Sequence, residues 1–189
     1  MDRIIGAFTF RKGVYAEVEH DPTFTTTAYI IVAVAAFLNQ LGAFASGGFD
    51  DLLGWAAGTV IGTVFAVVAF AIAVAVVNWV GRAVFNAEVT FDELVRTLGL
   101  AYVWQAVGVL GVLGAAGTAL SCIVAPAQVA ALLAGLFARF IATKEALDLE
   151  WLQVIITVVI ASFVIFVVTF IATAVVGLLG FGAAAAAGL

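Results

Sequence analysis

The sequence predicts an all-α fold: a polytopic membrane helix bundle of about five transmembrane helices, led by an N-terminal interfacial amphipathic helix. Three observations predict it. The chain is 66% hydrophobic and 10% charged over 189 residues, with a mean hydropathy of +1.27, whereas a soluble domain is about 45–50% apolar and about 25% charged. Its 7 Lys and Arg with 12 Asp and Glu cannot cover a water-facing surface. The apolar runs match bilayer-length helices, and the basic residues sort to one side of them.

The first 21 residues read as an interfacial segment. Ile4, Ile5 and Phe8 share one helical face, as do Val14, Tyr15 and Val18, while Arg3, Arg11, Lys12, Glu17 and Glu19 form polar faces. Gly13 is the expected bend between them, and the apolar side is expected on the inner leaflet or on the bundle. Asp21-Pro22 then fits a helix start, with Asp as cap and Pro at the first helical position. Ala43-Phe44-Ala45 has the small-residue form of a signal-peptidase site, but the segment ahead of it is too long and, with Glu17, Glu19 and Asp21, too acidic for a signal peptide.

A hydrocarbon core of about 30 Å takes roughly 20 helical residues. Apolar runs of that order cover 28–45, 52–80, 94–141 and 151–179. At 1.5 Å per residue the third would reach about 70 Å, twice what one crossing needs. Gly114-Ala115-Ala116-Gly117 offers a turn near its middle. The predicted spans are therefore about 28–45, 52–80, 94–113, 119–141 and 151–179, in a single membrane domain.

Charge supports this count independently. With five spans and a cytoplasmic N-terminus, Arg3, Arg11, Lys12, Arg82, Arg96, Arg139 and Lys144 all fall inside, only Asp50 and Asp51 fall in outer loops, and the tail 180–189 is uncharged. The inner loops are predicted at 81–90 and 142–150, the latter carrying Lys144, Glu145, Asp148 and Glu150. Arg82 opens the first of these loops, and Thr90-Phe91-Asp92-Glu93 closes it with a capping-box pattern running toward Arg96. The expected localisation is the cell membrane, multi-pass, with the N-terminus cytoplasmic and the C-terminus outside.

Gly54, Gly58 and Gly62 form two overlapping G-x-x-x-G motifs, a face where a second helix approaches closely, either inside the chain or from a partner. Gly108, Gly111, Gly114 and Gly117 continue the theme at a spacing of three. The main polar residues within the spans are Asn39, Gln40, Gln105, Ser121, Gln128, Thr157, Ser162 and Thr169, which interhelical hydrogen bonding accounts for. Pro126 with Gln128 is expected to break the fourth span, and Gln105 with Gln128 to face a small polar cavity.

Several functions lose support from composition. A net charge of −5 offers no basic patch for nucleic acid. His20, the single histidine, lies at the membrane border and cannot build a multi-histidine metal site, nor is there a span histidine to ligate a haem or chlorophyll. Cys122 is the single cysteine, so no intrachain disulfide or cysteine metal motif forms. No cofactor, metal or catalytic group is expected: nucleophile-elbow, zinc-protease and phosphate-loop motifs are absent. Asp92-Glu93-Leu94-Val95-Arg96 has a slight look of the acidic motif of membrane-embedded prenyl-protein proteases, one residue short and without their histidines.

Taken together, the acidic-Pro step after an amphipathic lead, Asn78-Trp79-Val80-Gly81-Arg82, Val89-Thr90-Phe91-Asp92-Glu93-Leu94-Val95-Arg96 running into Leu98-Gly99-Leu100-Ala101-Tyr102, and Thr143-Lys144-Glu145-Ala146-Leu147 resemble the Yip domain family in its short bacterial form. The resemblance spans nearly the whole chain and implies five spans with a cytosolic N-terminus. Eukaryotic relatives bind Rab-type small GTPases through a long N-terminal region with an aromatic-Gly-Pro motif, which this sequence lacks, so that binding is not carried over.

The expected function is accordingly a non-enzymatic integral membrane adaptor or membrane-organising protein that packs against itself or a protein partner within the lipid bilayer. The alternatives are an accessory subunit of a larger energy-transducing or light-harvesting complex and, after it, a small transporter or channel.

Overall fold

The computed structural model describes residues 2–45, 52–115 and 117–178, with no account of the side chains at 118, 119, 168, 169 and 171–178. Asp50, Asp51 and the tail 180–189 lie outside the described residues, as does the side chain of Thr169. Everything regular in the described chain is helical, as predicted: α1 (Asp2–Phe8), α2 (Val14–Glu19), α3 (Phe24–Ala45), α4 (Leu52–Phe85), α5 (Phe91–Ala115), α6 (Thr118–Leu147) and α7 (Trp151–Leu178). Helices α3, α4, α5 and the Leu120–Leu147 stretch of α6 are long and apolar enough to cross a membrane. Helix α7 is 28 residues long, with described apolar side chains over Trp151–Val167.

The short helices α1 and α2 lie on the bundle. Gly13 supplies the bend in a left-handed conformation at φ 79°, which side chains that carry a Cβ rarely adopt. Ala7, Val14, Tyr15 and Val18 are buried; Phe8 meets Trp104 of α5 edge to face at a ring-centroid distance of 5.0 Å, and Phe10 stacks on it at 5.5 Å. The face predicted at Val14, Tyr15 and Val18 therefore packs on protein, whereas Ile5 of the face predicted in α1 is exposed. Burial pushes the Tyr15 phenol up to about 12. At the entry to α3, Asp21 accepts from the backbone N–H of Thr23 and pairs with Arg3 at 2.6 Å.

Both predicted inner loops are shorter than expected, because helices continue into them. Helix α4 runs on to Phe85, carrying Arg82 in its last turn, and stops where Asn86 turns left-handed at φ 54°. Helix α6 likewise runs to Leu147, ending at Asp148 with φ 49°, so the connection to α7 is 148–150. No proline interrupts residues 81–85 or 142–147, and tertiary packing of Val80, Gly81, Ala142 and Ala146 extends each helix. The break predicted at Pro126 is also absent: α6 passes through it without losing its assignment. At the turn predicted over 114–117, of which Ala116 lies outside the described residues, Gly117 N–H donates to the Gly114 carbonyl at 3.4 Å and Ser121 donates to the same carbonyl at 2.8 Å.

Candidate functional site

Three places concentrate the informative side chains. The first is the seam where α3 meets α5. A Cβ built on Gly42 would sit 1.9 Å from the Gly108 carbonyl oxygen, and one on Gly111 would sit 2.5 Å from the Gly42 carbonyl oxygen. Backbone therefore touches backbone, and only glycine fits. At the same level α5 tightens into a 3-10 helix over Tyr102–Leu110, which leaves carbonyls facing neighbours.

In a membrane such carbonyls need partners from within the protein. Asn39 donates to the Gln105 carbonyl and to Gln105 Oε1, both at 3.2 Å, and Gln128 donates to the Gly108 carbonyl at 3.2 Å. Gln40 of α3 similarly donates to the Gly62 carbonyl of α4 at 3.0 Å. Gly58 and Gly62 meet the Phe44 ring and the Gln40 side chain, so this part of the G-x-x-x-G face is filled by α3 of the same chain. Gly54 lies exposed near the start of α4.

The charged end of the bundle is closed by Arg96. Its side chain is buried, and its Nε donates to the carbonyls of Val18 and Glu19 at 3.0 Å each, while Nη1 reaches the Thr25 hydroxyl at 3.3 Å. One guanidinium thus ties α5 to the C-terminal end of α2 and the start of α3, where free carbonyls favour a cation. Beside it the predicted capping box is complete: Glu93 N–H donates to Thr90 Oγ1 at 3.3 Å, and Thr90 N–H donates to Glu93 Oε2 at 2.7 Å. Asp92 stays exposed on the first turn of α5, as does Arg82 on the last turn of α4. Burial lifts the Glu19 carboxyl above its ordinary range against the opposing pull of His20.

The third place is a cavity of about 460 Å³ between α4, α5, α6 and α7. Ala66, Ala69 and Ala73 of α4 face Ala161, Ser162 and Phe166 of α7 across it, and Arg139, Thr143 and Tyr102 lie on its wall. The space exists because small side chains on α4 oppose small side chains on α7. Neither Gln105 nor Gln128 lines it.

The predicted site residues therefore divide. Gln105, Gln128, Gly58, Gly62, Gly108 and Gly111 serve interhelical contacts, and Thr90, Glu93 and Arg96 organise the charged end. Sequence reasoning missed Gly42, Arg139 and Thr143, although Gly42 lies three residues from Asn39 and could have been paired with the glycines at 108 and 111. No described group of His, Cys, Asp and Glu is arranged to hold a metal. No protein family, curated protein or solved structure matches the chain.

Proposed function

We propose that the chain is a non-enzymatic membrane adaptor or membrane-organising protein with five crossings of the cell membrane, the N-terminus in the cytoplasm and the C-terminus outside. It works by offering apolar helix faces to a second copy, a protein partner or lipid. One observation carries this reading: Asn39, Gln40, Gln128 and Arg96 are committed to backbone carbonyls of neighbouring elements. What faces outward is a wide apolar surface, including Val60, Ile61, Val64, Phe65 and Val68 on α4 and Phe163, Phe166 and Phe170 on α7. Exposed apolar faces of this extent mark lipid or protein contact. The resemblance to the Yip domain family, whose members cross five times with a cytosolic N-terminus, agrees with the same reading.

The test uses single cysteines at Ile61, Val64 and Phe163 in a Cys122→Ala background, crosslinked in native membranes with a short thiol-reactive bridge. A discrete dimer or partner adduct at one helix face is the expected result. Monomer alone at every position would overturn the adaptor reading.

A further inference from the structure

We propose that the cavity between α4, α5, α6 and α7 is a binding site for a single-chain amphiphile with an anionic head, held by Arg139. Observations on both its polar and its apolar walls support it. Arg139 makes no hydrogen bond and no ion pair among the described residues, its guanidinium lying over the Tyr102 ring with Cζ 5.8 Å from the centroid. Thr143, fully buried on the same wall one helical turn further along α6, carries a hydroxyl with no hydrogen-bond partner. A half-buried cation without an acceptor and a buried hydroxyl without a partner are costly unless something pairs with them. Their shared demand is for an acceptor with negative charge.

The remaining wall specifies the rest of the ligand. Val77, Leu98, Arg139, Thr143 and Val158 lie toward the charged end, whereas Ala66, Phe70, Ile165 and Phe166 lie toward the opposite end of the same helices. From Ala66 to Val77 the cavity follows α4 for about 16 Å of helix rise. The site is therefore polar at one end and apolar over the rest, the form of an amphiphile and not of a small soluble anion. Its volume lies within the usual range of small-molecule pockets, about 300–1,000 Å³. Phe166, exposed beside Ser162 on α7, marks a lateral way in from the acyl-chain layer. A carboxylate and a phosphate monoester both satisfy the head-group chemistry, since guanidinium binds either through paired N–H groups.

Native mass spectrometry and fluorescence displacement on the full-length protein in a neutral detergent test this. The probes are oleic acid, oleyl phosphate, oleyl alcohol and inorganic phosphate. Oleic acid or oleyl phosphate is expected to bind at least tenfold tighter than oleyl alcohol, and whichever of the two binds tighter identifies the natural head group. Arg139→Gln is expected to remove that preference, Arg139→Lys to retain part of it, and Ala73→Phe to block every chain-bearing probe. Thermal midpoints of the variants establish that they are folded, and the wild-type comparison of the four probes stands without any variant. Equal binding of acid and alcohol, inorganic phosphate displacing the acid as well as an acyl probe does, or full preference surviving in Arg139→Gln would each overturn the proposal. So would a cavity that binds none of the probes.

Discussion

Arg96 and Arg139 sit on neighbouring helices near the same end of the bundle, and the protein treats them in opposite ways. Around Arg96 the chain closes: α2, α3 and α5 converge until the guanidinium spans two carbonyls and a hydroxyl. Around Arg139 it stays open, with a ring face and a cavity in place of acceptors. The difference originates in residue size. Gly42, Gly108 and Gly111 let α3 and α5 touch backbone to backbone, so polar groups find partners in the chain. Between α4 and α7, small side chains such as Ala66, Ala73 and Ala161 line the cavity, leaving room beside a cation without an acceptor among the described residues. Close packing consumes polarity, and loose packing leaves it available for a ligand.

The comparison breaks most visibly at the seam. Gly42→Val would drive a side chain into the Gly108 carbonyl, whereas a Cβ at Gly114 meets nothing closer than 3.7 Å. Gly42→Val is expected to destabilise by at least about 3 kcal/mol or prevent folding, while Gly114→Ala stays within about 1 kcal/mol, measured by thermal unfolding in detergent or bicelles. Equal midpoints for the two would mean that α3 and α5 do not pack backbone to backbone.

Arg96→Met is expected to cost about 3 kcal/mol, because a charged donor leaves buried carbonyls without a partner. Its specific readout is release of α2, seen as tryptic cleavage at Arg11 and Lys12 at protease levels that spare the parent protein. Arg139→Gln should instead stay near neutral, within about 1 kcal/mol, since the half-buried guanidinium has no hydrogen bond or ion pair among the described residues to lose. A loss as large as that of Arg96→Met would erase the contrast between the two regions.

Removing the capping box is the next smaller effect. Thr90→Ala is expected to cost about 1 kcal/mol through the loss of one cap bond at the α5 N-terminus. The smallest change concerns His20, whose ring nitrogen lies 2.9 Å from the Ala16 carbonyl. That bond first, and Glu19 second, raise its pKa above the usual histidine value. A raised folded-state pKa adds stability that is fully present below the ordinary histidine range and is lost as pH climbs through the folded value. Amide exchange in α2 is thus expected to speed up slightly on going from mildly acidic to mildly basic pH, and His20→Gln should flatten the dependence.

Much of this architecture was legible in the residues. Hydropathy and run length predicted the helices and the hairpin at 114–117, because in a bilayer the backbone has few ways to satisfy itself. The capping box at Thr90 and Glu93 was readable because its partners are three residues apart. Features that depend on another helix were not. Gly42 stands alone in α3 and gains meaning only against the glycines of α5. Arg96 and Arg139 both read as cations of the inner side, and nothing local separates one sealed by carbonyls from one facing a void. The 3-10 stretch Tyr102–Leu110 likewise arises from close approach to α3 and not from a local signal.

The proposed arrangement has an odd number of crossings, which would place the two chain ends in different compartments. Compartment-specific reporters fused before Met1 and after Leu189, read in intact cells, measure this directly. The five-crossing account expects the first reporter to be active only in the cytoplasm and the second only outside it. Activity of both on one side would contradict the account.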